Sequence, residues 1–284
     1  MLKDNTNRIQ VILLGICIVL ALVLSVTIIV RTAAQKEAEA TYEEMRQSME
    51  ASDTTRESNK EDSNKEVSYQ EDSSGESCTA EAGSESKQED ANMLVRPDFA
   101  QYQEQNADIY AWLSIPDTNI DYPVLQHESD NLYYLEHNLD GSAGLPGCVY
   151  SEKENSKEFT DFHTILYGHN MRNGTMFHDL RYFVEEEYFA QHPYIYVYTE
   201  AATFKYQVIA AYEYSDTHLL YAFRYDVPEG RQQYLDEIAA YDVLGEDPEL
   251  STESKILTLS TCVSGKDDRR LLVQGVLIET KEVE

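Results

Sequence analysis

The sequence is poor in cysteine and poor in basic charge, and both shortages narrow what it can be. Four cysteines stand at positions 17, 78, 148 and 262. Cys17 lies in an apolar run and Cys78 in a polar, low-complexity stretch, which leaves Cys148 and Cys262 in sequence that reads as folded. That is no disulfide framework, although a single Cys148–Cys262 bridge remains an alternative. Lys and Arg total 22 against 52 Asp and Glu, a formal net charge of -30. A chain this acidic lacks the cationic surface that nucleic-acid phosphates require. No Cys or His pair has zinc-ligand spacing; His163 and His169 are six apart across a strand and turn. Acidic clusters such as Glu185-Glu186-Glu187 read as a solvated helix face. No metal, no cofactor and no nucleic-acid partner are expected, and no internal repeat is present.

Two further absences organise the chain. Ile9 to Val30 carries no charge and is dominated by Val, Ile and Leu. As a helix it extends about 33 Å, enough to cross a bilayer core. Thr32-Ala33-Ala34 could be read as a signal-peptidase site, but the apolar run exceeds the length usual for a cleaved signal. A retained anchor over 9–30 is therefore expected, preceded by a short cytoplasmic tail over 1–8. Lys3 and Arg8 precede the span, Arg31 and Lys36 follow it, and then the chain turns acidic. This favours the amino terminus inside and the bulk outside the cell membrane. Residues 31–92 read as an acidic stalk, helical to about Glu50. From Ala51 to about Asn92 large apolar residues are almost absent, so nothing offsets the entropy of ordering, and a flexible spacer is expected.

Folded sequence begins near Met93, so one domain is expected over 93–284. Phe99, Tyr102, Ile109, Trp112 and Leu113 fall at helical spacing and predict a core-packing helix over 97–113. Beyond it, β-branched and aromatic runs alternate with turn residues. Strands are expected over 121–125, 147–150, 163–167, 194–198 and 204–214, a helix over 229–241, and closing strands over 255–261 and 270–279. The class is mainly β, a largely antiparallel sheet or barrel.

The chemistry is carried by two segments. Ile256-Leu257-Thr258-Leu259-Ser260-Thr261-Cys262 reads as a strand ending at a cysteine. By alternation Cys262 shares a face with Thr258 and Ser260. The loop 263–269 returns the chain into Arg270-Leu271-Leu272-Val273, so a hairpin sets Cys262 near Arg270. A neighbouring cation favours thiolate over thiol, and the guanidinium fork can hold an oxyanion. In the other segment, Thr164-Ile165-Leu166-Tyr167 runs into Gly168 and then His169. Glycine permits a sharp turn there, and His169 projects from a strand end. A lone strand-end histidine is more often structural than catalytic.

The combination is more specific. Tyr167-Gly168-His169-Asn170, then Thr258-Leu259-Ser260-Thr261-Cys262, then Arg270 eight residues on, closely resembles the sortase family. Trp112-Leu113-Ser114-Ile115-Pro116, Thr118 to Val124, Tyr133-Tyr134-Leu135, Asn170 to Phe177 and His192 to Tyr198 are similar to its class B. The resemblance implies an eight-stranded β-barrel with amino-terminal helices and a helix-bearing insertion before the Cys strand. It implies a cysteine transpeptidase with Cys262 as nucleophile, His169 as acid/base and Arg270 as the oxyanion-holding residue. Arg269 is the alternative; Arg270 is preferred because it directly precedes the apolar strand and shares parity with Leu272, taken as inward-facing. Tyr167, Asn170, Ser260 and Thr261 are the implied substrate-binding residues. The implied substrates are secreted proteins with a carboxyl-terminal sorting motif, cleaved after Thr, and a cell-wall peptidoglycan amine, on the surface of a Gram-positive bacterium. Ser151 and Glu152 depart from the family, which often carries an acidic residue a few positions into the strand after Gly147.

Three other readings compete. A papain-like cysteine endopeptidase or wall hydrolase has Cys before His, the reverse of the order here. A pilin-polymerising member of the same family would use a pilin Lys as acceptor. A non-enzymatic adhesin makes no demand on His169 or Arg270.

Overall fold

Eight strands close into one barrel in the order β1-β2-β3-β4-β7-β8-β6-β5. The computed structural model describes residues 2–63, 96–241 and 250–283, with side-chain surroundings for 12–49, 96–241 and 250–283. The strands are β1 (Ile109–Ser114), β2 (Asp121–Leu125), β3 (Val149–Tyr150), β4 (His163–Tyr167), β5 (Tyr194–Thr199), β6 (Ala202–Ser215), β7 (Ile256–Val263) and β8 (Lys266–Glu282). Most neighbours are antiparallel, but β2 with β3 and β4 with β7 run parallel, so the sheet is mixed.

Among the described residues six α-helices accompany the barrel: α1 (Leu2–Ser63), α2 (Phe99–Gln103), α3 (Tyr133–Glu136), α4 (Glu186–Gln191), α5 (Leu219–Ala222) and α6 (Pro228–Ala239). A 3-10 helix occupies Phe177–Val184. The predicted helix over 97–113 is a correction. Only Phe99–Gln103 is helical, and Ile109–Ser114 is a barrel strand between β2 and β5. Spacings of three and seven fit a helix locally, but Trp112 and Leu113 are buried by pairing with Pro123 and Tyr122 across the sheet.

Both faces of the Cys strand are covered. Leu257 and Leu259 join Val273 and Trp112 in the main core. Ile256 packs with Leu272, Tyr234 and Ile238 in a second cluster under α6. Leu272 therefore faces the insertion helix, which corrects its assignment to the inward face. Under α6 sits a buried polar network. His163 Nε2 lies 2.8 Å from Thr258 Oγ1 and 3.0 Å from the Tyr234 hydroxyl, while Gln274 Nε2 donates to Thr258 Oγ1 at 3.0 Å. Burial pushes the His163 imidazole down to about 3.

Helix α1 unites the apolar run with the barrel. Ile12 to Ile29 present their apolar side chains outward and exposed, and the helix is long and apolar enough to cross a membrane. Further along, Tyr42, Met45 and Met49 are buried in the barrel's core cluster. The Tyr42 hydroxyl donates to the Gly147 carbonyl at 2.8 Å, and the Tyr102 hydroxyl donates to the Met45 carbonyl at 3.0 Å. The segment expected only as a stalk thus contributes a docked helix. Helix α1 continues to Ser63, past the expected start of the flexible spacer. The remainder of that spacer, with Cys78, lies outside the described residues.

Candidate active site

Parallel pairing of β4 and β7 builds the site. Their register runs from His163 opposite Ile256 to Tyr167 opposite Ser260. His169 and Cys262 each lie two residues beyond that last pair, on the same end of the barrel. The strands stay joined past the ladder. Gly168 N–H donates to the Ser260 carbonyl at 3.2 Å, and Thr261 Oγ1 donates to the Gly168 carbonyl at 2.7 Å. Gly168 is required by crowding: a Cβ there would stand 2.9 Å from the Phe177 ring.

His169 is held from two sides. Its Nε2 lies 2.7 Å from the Leu135 carbonyl. A carbonyl only accepts, so Nε2 carries a proton and Nδ1 is the nitrogen left for proton traffic. Close to the ring is Gly147, at φ +68°, where a Cβ would meet the Tyr134 and Leu135 carbonyls at 2.9 and 3.0 Å and His169 Cδ2 at 3.3 Å. Glycine is needed there both for its backbone angle and for its closeness to the imidazole.

Cys262 is solvent-exposed near the end of β7 and pairs directly with Arg270 on β8. The hairpin is tighter than expected. Its turn is Ser264-Gly265, and β8 begins at Lys266, not Arg270. Val263 pairs with Lys266 while Cys262 pairs with Arg270, so residues 267–269 bulge from the ladder. The bulge folds back on Arg270, whose Nη1 donates to the Asp267 and Arg269 carbonyls at 3.1 and 2.9 Å. Among the described residues its Nε and Nη2 make no hydrogen bond. Arg269 is exposed and pairs with Ser215.

Cys262, His169 and Arg270 line one cavity of about 220 Å³, together with Tyr167, Ser260 and Thr261. Arg269 and Asn170 are not in its wall. Asn170 sits beside it, its Nδ2 donating to the Cys262 carbonyl at 3.0 Å. Two groups in the wall escaped the reading of the chain. Glu152, noted only as a departure, is buried, and its Oε1 lies 2.8 Å from His218 Nε2. Burial raises the affinity of the Glu152 carboxyl for a proton, and His218 opposes the shift. His218 reaches the site from the connection after β6, and no sequence pattern marks it. Burial also raises the Tyr167 hydroxyl, with the Glu152 charge adding to the effect.

The other thiol is differently placed. Cys148 is buried, accepts a hydrogen bond from the Tyr42 hydroxyl at 3.2 Å, and is pushed up to about 12 by burial. A thiol so disposed is a packing group. Cys148 and Cys262 are both free, so the bridge weighed from the sequence is not formed. Among the described residues no cluster of three or more His, Cys, Asp or Glu could hold a metal.

Known proteins resemble this chain in sequence and fold. The family model for the sortase domain matches residues 113–278. Sortase B of Listeria monocytogenes is 35% identical over 191 residues, covering 66% of this chain and 76% of that protein. Sortase B of Staphylococcus aureus is 29% identical over 189 residues, covering 65% and 76%. Among solved structures, Clostridium perfringens sortase B superposes with a TM-score of 0.59 at 28% identity, covering 64% of this chain and 100% of that one. A Staphylococcus aureus sortase B–substrate complex gives 0.59 at 27% identity, covering 69% and 98%. The chain belongs to the sortase family, and its relatives set it in class B. It is accordingly a cysteine transpeptidase.

Proposed function

We propose that this transpeptidase cleaves a carboxyl-terminal sorting motif of secreted proteins after its Thr and joins the new end to a cell-wall peptide amine. The observation that carries the reading is the pairing of Cys262 with Arg270 at the wall of a cavity that His169 also lines. Cys262 is the nucleophile, His169 the acid/base and Arg270 the oxyanion ligand. The thiolate adds to the Thr carbonyl carbon, and the oxygen takes the negative charge beside the Arg270 guanidinium. The C–N bond then breaks as His169 gives its proton to the departing amine. A thioester remains on Cys262. An incoming amine attacks it, His169 takes the amine's proton, and the C–S bond breaks to return the thiolate.

Tyr167, Ser260 and Thr261 border the path of the donor peptide, with Asn170 fixing the Cys262 backbone beside it. The class B resemblance of the sequence motifs implies a donor of the form Asn-Pro-x-Thr-Asn/Gly, or a related motif, and a peptidoglycan acceptor. The apolar span supports a cell-membrane anchor over 9–30, with residues 1–8 inside and the barrel outside, where secreted substrates emerge.

The test uses the full chain in lipid nanodiscs with quenched sorting-motif peptides, with and without an amine acceptor, beside Cys262→Ala. Cleavage that depends on Cys262, with product joined to the amine, supports the reading and names the motif. Cleavage without transfer would point to a hydrolase. No cleavage of any peptide, with Cys262 inert to thiol reagents, overturns it.

A further inference from the structure

The proposed reaction has two substrates, and His169 borders two cavities. The first holds Cys262 and Arg270. The second, about 710 Å³, shares only Leu135 and His169 with it. Its other walls are the turn of α1 from Val30 to Gln35 and the loops around Glu136 and Gly144. That volume is within the range of small-molecule sites, about 300–1,000 Å³. Resting on the transpeptidation proposed above, we propose that the second cavity binds the acceptor, a peptide amine tethered to the membrane surface.

Three observations favour this occupant. His169 is the group that exchanges a proton with both amines, giving one to the first and taking one from the second. A cavity that reaches His169 without passing Cys262 lets the acceptor approach while the acyl group still fills the first cavity. The second observation is position. Val30 ends the apolar run and Arg31 is the first charge after it, so the cavity opens where the helix leaves the hydrocarbon. A molecule held in the membrane surface meets this opening directly. The third is charge. Exposed Glu136 offers a carboxylate to an arriving ammonium, and Arg31 offers a cation to an anionic group on the same molecule. In the step itself the amine nitrogen bonds to the thioester carbon, the C–S bond breaks, Cys262 leaves as thiolate, and the proton passes to His169.

The experiment reads how the acyl-enzyme divides between transfer and hydrolysis. The full chain is placed in nanodiscs with a soluble donor peptide and a lipid-anchored peptide bearing one primary amine. Ala34→Trp fills the cavity from an exposed position of α1, and Ala33→Trp, which does not line the cavity, is the control. The ratio of transfer to hydrolysis falls at least about tenfold in Ala34→Trp and stays at the wild-type value in Ala33→Trp. Should Ala34→Trp fail to fold, Glu136→Gln gives the second reading: the acceptor KM rises and the donor KM does not. An unchanged ratio in Ala34→Trp, an equal fall in both Trp variants, or an acceptor KM untouched by Glu136→Gln overturns the proposal. A wild-type chain that cleaves no donor peptide at all is a separate failure, that of the transpeptidation reading.

Discussion

Tyr167 and Ser260 are register partners on parallel strands, and His169 and Cys262 each follow two residues later. The separation of His169 and Cys262 is therefore set by how firmly β4 and β7 stay in step. A one-residue slip would turn one of the two side chains to the opposite face. The Thr261 hydroxyl, buried and donating to the Gly168 carbonyl, fastens this end of the pair.

Thr261→Val tests that fastening. Valine nearly conserves shape but leaves a buried carbonyl without its donor, a loss of about 1–3 kcal/mol. The midpoint of urea denaturation should fall accordingly, with activity falling beside it. A drop in activity at unchanged stability would mean that Thr261 acts only on substrate.

The two arginines separate cleanly. Arg270 pairs with Cys262 and lines its cavity, while Arg269 points from the bulge. Loss of one oxyanion donor costs a factor of about 10²–10³ in kcat. Arg270→Ala should show a loss of that order, with Arg270→Lys recovering part of it as a point charge without the fork. Arg269→Ala, an exposed change, should alter kcat/KM by about twofold or less. Equal losses in the two alanine variants would return the role to the doublet as a whole.

Seven of the eight strands, and the meeting of Cys262, His169 and Arg270 at one cavity, were legible because each rests on local signals: β-branched alternation, a glycine before the histidine, a cysteine at a strand end. What was lost depended on the far side of a contact. Period-two alternation shows that Leu272 and Arg270 share a face, but not which face is the barrel interior, because α6 covers the outer one and both sides are apolar. Lys266 to Arg269 read as loop on charge alone, yet Arg269 pairs with Ser215 at the end of long β6 and the Asp268 carbonyl accepts from Asp216 N–H at 3.1 Å. Docking of α1 did leave a trace. Tyr42, Met45 and Met49, at i, i+3 and i+7 among acidic residues, form one apolar stripe, and a stripe on a helix predicts a partner. His218 left none, since its place beside Glu152 is purely tertiary.

His163 should make the fold acid-sensitive. Its imidazole is buried and neutral, lowered to about 3 from an ordinary value of 6.5. Below pH 6.5 the unfolded chain binds a proton that the folded chain refuses, so stability falls as pH drops from 6.5 towards 3. Across that window the loss is about 1.4 kcal/mol per pH unit. His163→Gln keeps a polar group near Thr258 and Tyr234 but does not titrate. It should flatten the dependence of the melting temperature on pH between 6.5 and 4. An unchanged slope would show that the acid sensitivity lies in the carboxylates.

The docked segment of α1 is expected to matter for both stability and rate. Met45 is buried against the barrel, so Met45→Ala leaves a cavity and should cost about 2–5 kcal/mol. Tyr42→Phe keeps the ring and removes the hydroxyl that donates to the Gly147 carbonyl and the Cys148 sulfur. A single net hydrogen bond is worth about 0.5–1.5 kcal/mol, so its stability loss should be small. Gly147, however, packs close to the edge atom Cδ2 of the His169 ring, which a Cβ there would approach to 3.3 Å. Freed from Tyr42, that backbone can shift the imidazole relative to Cys262, and small displacements of reacting groups are costly in rate. Tyr42→Phe in the full chain should therefore lower kcat more than its stability loss suggests, with donor KM little changed. Met45→Ala, which loosens the helix without touching Gly147, supplies the comparison. If kcat follows stability alike in both variants, the helix serves only as a brace. If Tyr42→Phe stands apart, the helix that leaves the membrane is also part of the support for His169.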